Sequence, residues 1–336
     1  MREAMAALLA EDPSIEMCGT ADDGHSAVAA ARALRPDVVT MDVEMPGLDG
    51  LAAVREIMAD APCRILVVSA VDRARQQDLS VRAIAAGALE IVPNPIMRTA
   101  ADLRRWGERL RRAVHLMAEI PVIRRRREPG EHPAPSAPPA IAMLPPGPTA
   151  GALGIVASTG GPPVLAGLFE RLAAPLPFPV LCAQHITAGF SGGLARWLAQ
   201  VAHARVTTAA SGDVAEAGIV YLPPDHHHLA LGGGGRLVVE PATDDLGPCP
   251  SGDRLLGSLA RVLGARAAGV VLTGMGDDGA AGLSAVAAAG GATCVQAEVS
   301  CVVYGMPREA LARGAAQLAL SPAGISDWIR ALACRH

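Results

Sequence analysis

Lysine is missing from this chain of 336 residues: all 29 basic side chains are arginine. A Walker-type phosphate loop, a Schiff-base mechanism and a Ser–Lys dyad each need an ammonium side chain, so all three are excluded. Aromatic residues are scarce, at 2%, although 51% of the sequence is hydrophobic. A composition rich in alanine and glycine suits α/β layers packed with small side chains, and this length predicts two domains, each burying its own core. Charge is sparse as well, 18% of residues with a net charge of −4, so no bulk attraction for nucleic acid is expected. The seven cysteines (Cys18, Cys63, Cys182, Cys249, Cys294, Cys301 and Cys334) have no C-x-x-C spacing. They are expected to be reduced thiols of a cytoplasmic protein, not a disulfide framework. Met1–Glu16 carries acidic residues and only a short Ala/Leu run, which is not the pattern of a secretory leader. The uncharged stretch Gly279–Val295 is mostly Gly and Ala and falls short of a membrane span.

A composition break divides the chain. Arg124–Arg127 leads into a stretch with eight prolines between Pro129 and Pro148, without helix or strand period, which reads as an extended polyproline-like linker. The arginine run reads first as a solvated junction at a helix end, with contact to acidic partners as the other possibility. The expected division is a first domain over 1–120, a linker over 121–150 and a second domain over 151–336.

Upstream of the linker, apolar runs alternate with helical patterns. Strands are predicted at Ile15–Thr20, Asp37–Met41, Ile65–Ser69 and Leu89–Val92, and helices at His25–Leu34, Gly50–Ala59, Gln76–Ala86 and Ala101–Met117. This alternation predicts a doubly wound parallel sheet whose carboxyl edge is the working crevice. Asp42, Ser69 and Asn94 fall at or just past strand ends.

The segment Val39-Thr40-Met41-Asp42-Val43-Glu44-Met45-Pro46-Gly47-Leu48-Asp49-Gly50 resembles the phosphoacceptor region of two-component receiver domains. The resemblance implies a flavodoxin-like fold in which Asp42 takes the phosphoryl group with Mg²⁺ and Ser69 is the switch hydroxyl. Two parts of that pattern are not in this sequence. The first strand with its pair of metal-binding acidic residues is missing, since Asp22 and Asp23 follow the second strand. Pro93-Asn94-Pro95 replaces the lysine-proline of the last loop. Phosphoryl transfer to a carboxylate needs such cationic groups, so the chain as written is expected to ignore phosphodonors. The Ile15–Thr20 strand is expected to lack its sheet neighbour, and the true start is expected to lie upstream.

In the second half, three strand-like runs each end in a turn. Leu153–Ala157 runs into Ser158-Thr159-Gly160-Gly161-Pro162 and a helix through Leu172. Val180–Ala183 ends at Gln184-His185, and Gly269–Thr273 at Gly274-Met275-Gly276-Asp277-Asp278-Gly279. Serine, histidine and carboxylate at strand ends are the parts of a hydroxyl nucleophile, its general base and the acid that orients the base. The first turn is not the G-x-S-x-G elbow. Read alone it fits a Ser/Thr helix cap beside a glycine turn equally well, and a nucleotide loop at Gly160-Gly161 lacks both the G-x-G-x-x-G register and any lysine. No metal-ligand set is read here. His226-His227-His228 reads as a solvated loop unconnected with metal.

Together with Tyr221-Leu222-Pro223-Pro224 and Ser300-Cys301-Val302-Val303-Tyr304-Gly305-Met306-Pro307-Arg308-Glu309-Ala310, these stretches resemble the catalytic domain of the chemotaxis protein-glutamate methylesterases, over about residues 153–329. That resemblance implies Ser158 as nucleophile, His185 as general base and Asp278 as orienting carboxylate, with Asp277 the weaker candidate. It implies Met275 and Thr159 as oxyanion and support residues. Val156, where that family commonly has glycine, is expected to narrow the serine turn. The implied reaction is hydrolysis of glutamyl methyl esters, and deamidation of specific glutamines, on the cytoplasmic region of chemoreceptors, with no cofactor for catalysis and a histidine kinase as phosphodonor. The alternative is a non-catalytic signalling scaffold that binds receptors or a histidine kinase.

Overall fold

The computed structural model describes residues 2–70, 83, 90–94, 99–118, 150–172, 175–187, 189–243 and 247–334. The chain divides into two units, Met1–Arg126 and Arg127–His336. The expected linker and the expected helix Gln76–Ala86 lie almost wholly outside the described residues. Among the described residues no helix is long and apolar enough to cross a membrane.

The first unit orders α1 (Arg2–Ala10), α2 (Gly24–Leu34), β1 (Val38–Asp42), α3 (Gly50–Asp60), β2 (Arg64–Ala70), β3 (Glu90–Asn94) and α4 (Ala100–Ala118). The three strands pair in parallel in the order β1-β2-β3. Asp23 caps α2 and Asp49 caps α3, each carboxylate accepting a backbone N–H of the first turn, as expected of short acidic residues ahead of an apolar helix. The expectation of a strand at Ile15–Thr20 is corrected: this stretch is irregular and largely exposed. A strand needs a neighbour for its N–H and C=O groups, and among the described residues this stretch has none. A cavity of about 740 Å³ lies between this stretch, α1, α2 and β1, lined among others by Met5, Leu9, Ile15, Val39 and Met41.

The second unit is built on seven strands: β4 (Ala152–Ala157), β5 (Val180–Gln184), β6 (Arg205–Thr208), β7 (Ile219–Leu222), β10 (Ala267–Val271), β11 (Ala292–Gln296) and β12 (Leu318–Leu320). A two-stranded antiparallel ribbon joins β8 (His227–Leu231) to β9 (Leu237–Pro241). The seven pair in parallel in the order β12-β11-β10-β4-β5-β7-β6. β4, β5 and β10 are buried along their whole length, which is why they read as unbroken apolar runs without alternation. Helices α5 (Gly161–Arg171), α6 (Ser191–Ala202) and α10 (Pro322–Ala333) share one core with Leu153, Ile155 and Ala157 of β4, built around Phe169, Leu198 and Trp328. On the other face, α7 (Gly252–Leu263), α8 (Ala280–Ala288) and α9 (Met306–Ala312) pack with Ala152 and Val156 through Leu256, Leu259 and Leu283. Fully burying a leucine contributes about 1.5–3 kcal/mol, so both layers hold β4 firmly at the centre.

Candidate active site

β4 leads through α5 to β5 on one side, while its other neighbour, β10, comes much later in the chain. The strand order therefore reverses at the β4/β10 boundary, where a crevice opens beyond the carboxyl ends of a doubly wound sheet. Three backbone hydrogen bonds carry the ladder past the strand ends. They run from Leu272 N–H to Val156 O (2.8 Å), Ser158 N–H to Thr273 O (3.0 Å) and His185 N–H to Ala157 O (2.8 Å). Ser158, His185 and the turn that bears Asp278 consequently stand side by side on one rim.

The serine turn is tight for a stated reason. Gly160 sits at φ +77°, a conformation that strains any residue with a Cβ, and a Cβ there would lie 2.5 Å from the Val302 side chain. Ser158 and Thr159 are half-buried. Beneath them the buried Gln184 amide donates to the carbonyls of Ser158 (2.9 Å) and His185 (2.8 Å), tying the two loops together. The hydroxyl of Thr273 donates to Thr159 O (3.0 Å) and accepts from Val303 N–H (2.9 Å). Thr273 N–H in turn donates to Gln296 Oε1 (2.9 Å). Val156 is fully buried and faces away from this turn: a Cβ on Gly252 would come within 2.3 Å of its Cγ1. The expected narrowing is thereby corrected, because strand alternation sends Val156 under the N-terminus of α7.

His185 Nε2 lies 2.8 Å from Asp278 Oδ2, with side-chain exposures of 17% and 8%. Asp278 is held from a second direction by the first turn of α7. Gly252 N–H donates to Oδ2 (2.5 Å), and Asp253 N–H (3.0 Å) and Ser251 Oγ (3.1 Å) donate to Oδ1. A helix N-terminus presents unpaired N–H groups and a positive dipole end, so it is a natural seat for a carboxylate. Burial alone would raise the Asp278 carboxyl, but the bonds from His185, Gly252 and Asp253 outweigh it and hold the group below the ordinary range. Its stabilising contribution is thus complete above the ordinary aspartate value of about 3.9 and is lost as pH falls from there through the lowered folded value. The favour is returned by Asp253, whose Oδ1 accepts from Gly279 N–H (3.0 Å) and Gly282 N–H (2.7 Å) at the start of α8. Burial raises the Asp253 carboxyl, the Gly282 bond opposes this, and the Asp278 charge adds to it.

The structure brings His185 and Asp278 into contact and sets Ser158 on the adjoining strand end. Among the described residues the Ser158 hydroxyl makes no hydrogen bond, to His185 or otherwise. Asp277 turns outward and pairs with Arg313 at 3.2 Å. Met275 is 38% exposed, and among the described residues its N–H has no acceptor. Of the residues that support this site, Ser251, Asp253 and Gln296 had no part in the sequence reading, and Gln184, Thr273 and His228 appeared there only as members of a stretch, without a supporting role. Ser251 ahead of an apolar-periodic helix is a legible cap, but nothing in the sequence says which carboxylate that helix end receives. The reading of His226-His227-His228 as a solvated loop is also corrected. Only His226 is exposed; the run enters β8, and His228 is buried at 8% exposure.

A substitution tests the closeness of the rim. A methyl on Gly274 would stand 2.6 Å from Ser158 Cβ and 2.3 Å from Met306 Sδ. Gly274→Ala is expected to lower kcat roughly 100-fold by displacing the serine, with about 1–3 kcal/mol of overpacking in a urea melt.

In the first unit, Asp42 ends β1 half-buried, with Oδ1 accepting Glu44 N–H at 3.1 Å. Asp22 is ion-paired with Arg2, Asp23 caps α2, and among the described residues no group of three or more His, Cys, Asp or Glu could hold a metal ion. The side chains of Ser69 and Asn94 lie outside the described residues.

Residues 153–329 match the CheB methylesterase family and residues 1–103 match the response regulator receiver domain. A protein-glutamate methylesterase/protein-glutamine glutaminase 3 of Myxococcus xanthus is 51% identical over 93% of this chain and 84% of its own length. A namesake of Anaeromyxobacter dehalogenans is 40% identical over 98% of this chain and 96% of its own. The crystal structure of the Thermotoga maritima CheB methylesterase catalytic domain aligns with a TM-score of 0.51 at 29% identity, over 54% of this chain and 98% of that one. With a family match across more than half its length, and such relatives across nearly all of it, the chain belongs to the CheB methylesterase family, joined to a receiver domain.

Proposed function

We propose that this enzyme hydrolyses glutamyl methyl esters, and deamidates glutamines, on the cytoplasmic helical region of methyl-accepting chemoreceptors, with Ser158 as nucleophile, His185 as general base and Asp278 as orienting acid. The observation that carries the assignment is the 2.8 Å bond from His185 Nε2 to a buried carboxylate on the rim that bears Ser158. Because Nε2 donates to Asp278, Nδ1 is the nitrogen that takes the Ser158 proton. Oγ attacks the ester carbonyl, and the oxyanion is met by the Met275 N–H, with the anchored Thr159 peptide as support. The proton returns from Nδ1 to the departing methoxide, releasing methanol, or to the departing amine, releasing ammonia. Water, deprotonated by the same nitrogen, then hydrolyses the acyl-serine to glutamate. No step draws on a metal or cofactor. Cys182 and Cys301 are poor rival nucleophiles, since burial pushes their thiols up to about 12. A non-catalytic scaffold would have no use for a carboxylate that three donors of α7 and a histidine together hold.

The work takes place in the cytoplasm, where the receptor's signalling region and a phosphodonor histidine kinase are found. Receiver domains as a class accept a phosphoryl group on aspartate with Mg²⁺ present and cationic groups to neutralise the developing charge, and this chain has no lysine to serve there. The methylesterase activity of this chain is therefore expected to be unchanged by acetyl phosphate. The experiment follows tritiated methanol from chemoreceptor membranes that carry a tritiated methyl label. Absence of release would sink the esterase assignment. A rise with acetyl phosphate that disappears in Asp42→Asn would overturn the expected silence of the receiver.

A further inference from the structure

We propose that His228 is a positioning residue for this reaction: its neutral imidazole anchors the first turn of α7, and through that turn the carboxylate that orients His185. The inference rests on the assignment of Ser158, His185 and Asp278 above and extends it by one layer.

A continuous set of hydrogen bonds makes the connection. Ser251 N–H donates to His228 Nδ1 at 3.0 Å, in a buried setting. The same residue's hydroxyl donates to Asp278 Oδ1, and the next two N–H groups, of Gly252 and Asp253, donate to Asp278 as well. Ser251 is the N-cap of α7, and its own N–H lies outside the helical ladder. A buried N–H without an acceptor costs about 1–3 kcal/mol, so β8 supplies one in the form of His228. Displacing Ser251 would move three of the four donors that fix the angle of Asp278, namely its own hydroxyl and the two N–H groups that follow, leaving only His185 in place.

Only the neutral ring can do this. A protonated imidazole would turn Nδ1–H against Ser251 N–H, donor against donor. Four charged or titratable groups act electrostatically on the ring: Arg254 on α7, Glu240 on β9, Asp278 in the turn before α8, and His227 beside it on β8. Burial first, and then the Arg254 charge, keep His228 below the ordinary histidine range, against the opposing pull of Glu240 and Asp278 and with His227 adding repulsion. Because the folded value is lowered, the stabilisation is complete above the ordinary histidine pKa of about 6.5 and is lost as pH falls from there through the folded value.

Two substitutions in the full chain separate this from simple core packing. Asparagine places Oδ1 where the imidazole carries Nδ1, so His228→Asn keeps an acceptor that does not titrate. His228→Leu keeps apolar bulk and removes the acceptor. Well above the ordinary histidine pKa, His228→Asn is expected to retain wild-type kcat in the tritiated-methanol assay. His228→Leu is expected to lose roughly tenfold to a hundredfold in kcat, with KM unchanged, because the carboxylate has shifted while the substrate surface has not. On acidification, the melting temperature of the wild type should fall more steeply than that of His228→Asn. Equal kcat in His228→Leu and wild type would overturn the proposal, as would a His228→Asn variant as impaired as His228→Leu. If His228→Leu does not fold, the melting curves decide alone: coincident acid-side profiles of wild type and His228→Asn refute it. Failure of the underlying assignment has a different signature, namely methanol release that survives in Ser158→Ala.

Discussion

Ser158→Ala should lower kcat for methanol release about a millionfold, the scale seen when the nucleophile of a serine triad is deleted. Two features of the rim set this expectation. The chain has no lysine, and the thiols of Cys182 on β5 and of Cys301 are buried, so neither stands ready as a second nucleophile. The remaining oxyanion donors and binding contacts account for a residual acceleration of roughly a thousandfold over water. Adding His185→Ala to Ser158→Ala should cost almost nothing more, since the two side chains act as one unit. The fold should hardly notice the change, because the Ser158 hydroxyl makes no hydrogen bond among the described residues. A Ser158→Ala protein with full turnover, measured on labelled receptor membranes, would end the acyl-serine mechanism for this chain.

Asp278→Asn should be nearly as severe for turnover, about 10⁴-fold in kcat, and unlike the serine change it should also weaken the fold. The carboxylate accepts four hydrogen bonds, two on each oxygen. An amide offers only one oxygen, and whichever way it is placed its NH₂ meets at least one backbone N–H of α7. That mismatch costs about 1–3 kcal/mol, read as a lower urea midpoint. With NH₂ toward the histidine, Nε2 must become an acceptor, which moves the ring proton to Nδ1. The nitrogen meant to receive the serine proton is then already occupied. A variant with normal urea stability, or one that keeps kcat within tenfold of the wild type, would contradict the four-donor account given above.

Much of the second unit was legible before any coordinates. Runs such as Leu153–Ala157 and Val180–Ala183 are apolar on both faces because parallel strands are covered on both sides, and the structure extends each by only one residue. The turns after them could be located because Gly160 and Gly274 mark places where a neighbouring side chain, Val302 in one case and Ser158 with Met306 in the other, comes too close for a Cβ. What could not be read is pairing at a distance. His228 meets Ser251, and Gln296 meets Thr273, only because β8 and β11 settle into particular registers. Three consecutive histidines look alike in sequence, while strand alternation and a turn give each a different environment. The Ile15–Thr20 run failed for the complementary reason. Its local pattern suits a strand, but a strand is a property of two segments, and among the described residues no second segment pairs with it.

The exchange of carboxylates between α7 and α8 bears on how this protein can change over time. Asp278 closes the start of α7, and Asp253 closes the start of α8. A catalytic acid is often a liability that the rest of the fold tolerates; here it is one of the fasteners. Drift toward an inactive relative at this position would pass through a less stable protein, and selection on folding alone would guard the acid after its chemistry had ceased to matter. Loss of activity at the serine meets no such barrier. A descendant retired from catalysis is therefore expected to have changed its nucleophile first and to keep both aspartates long afterwards.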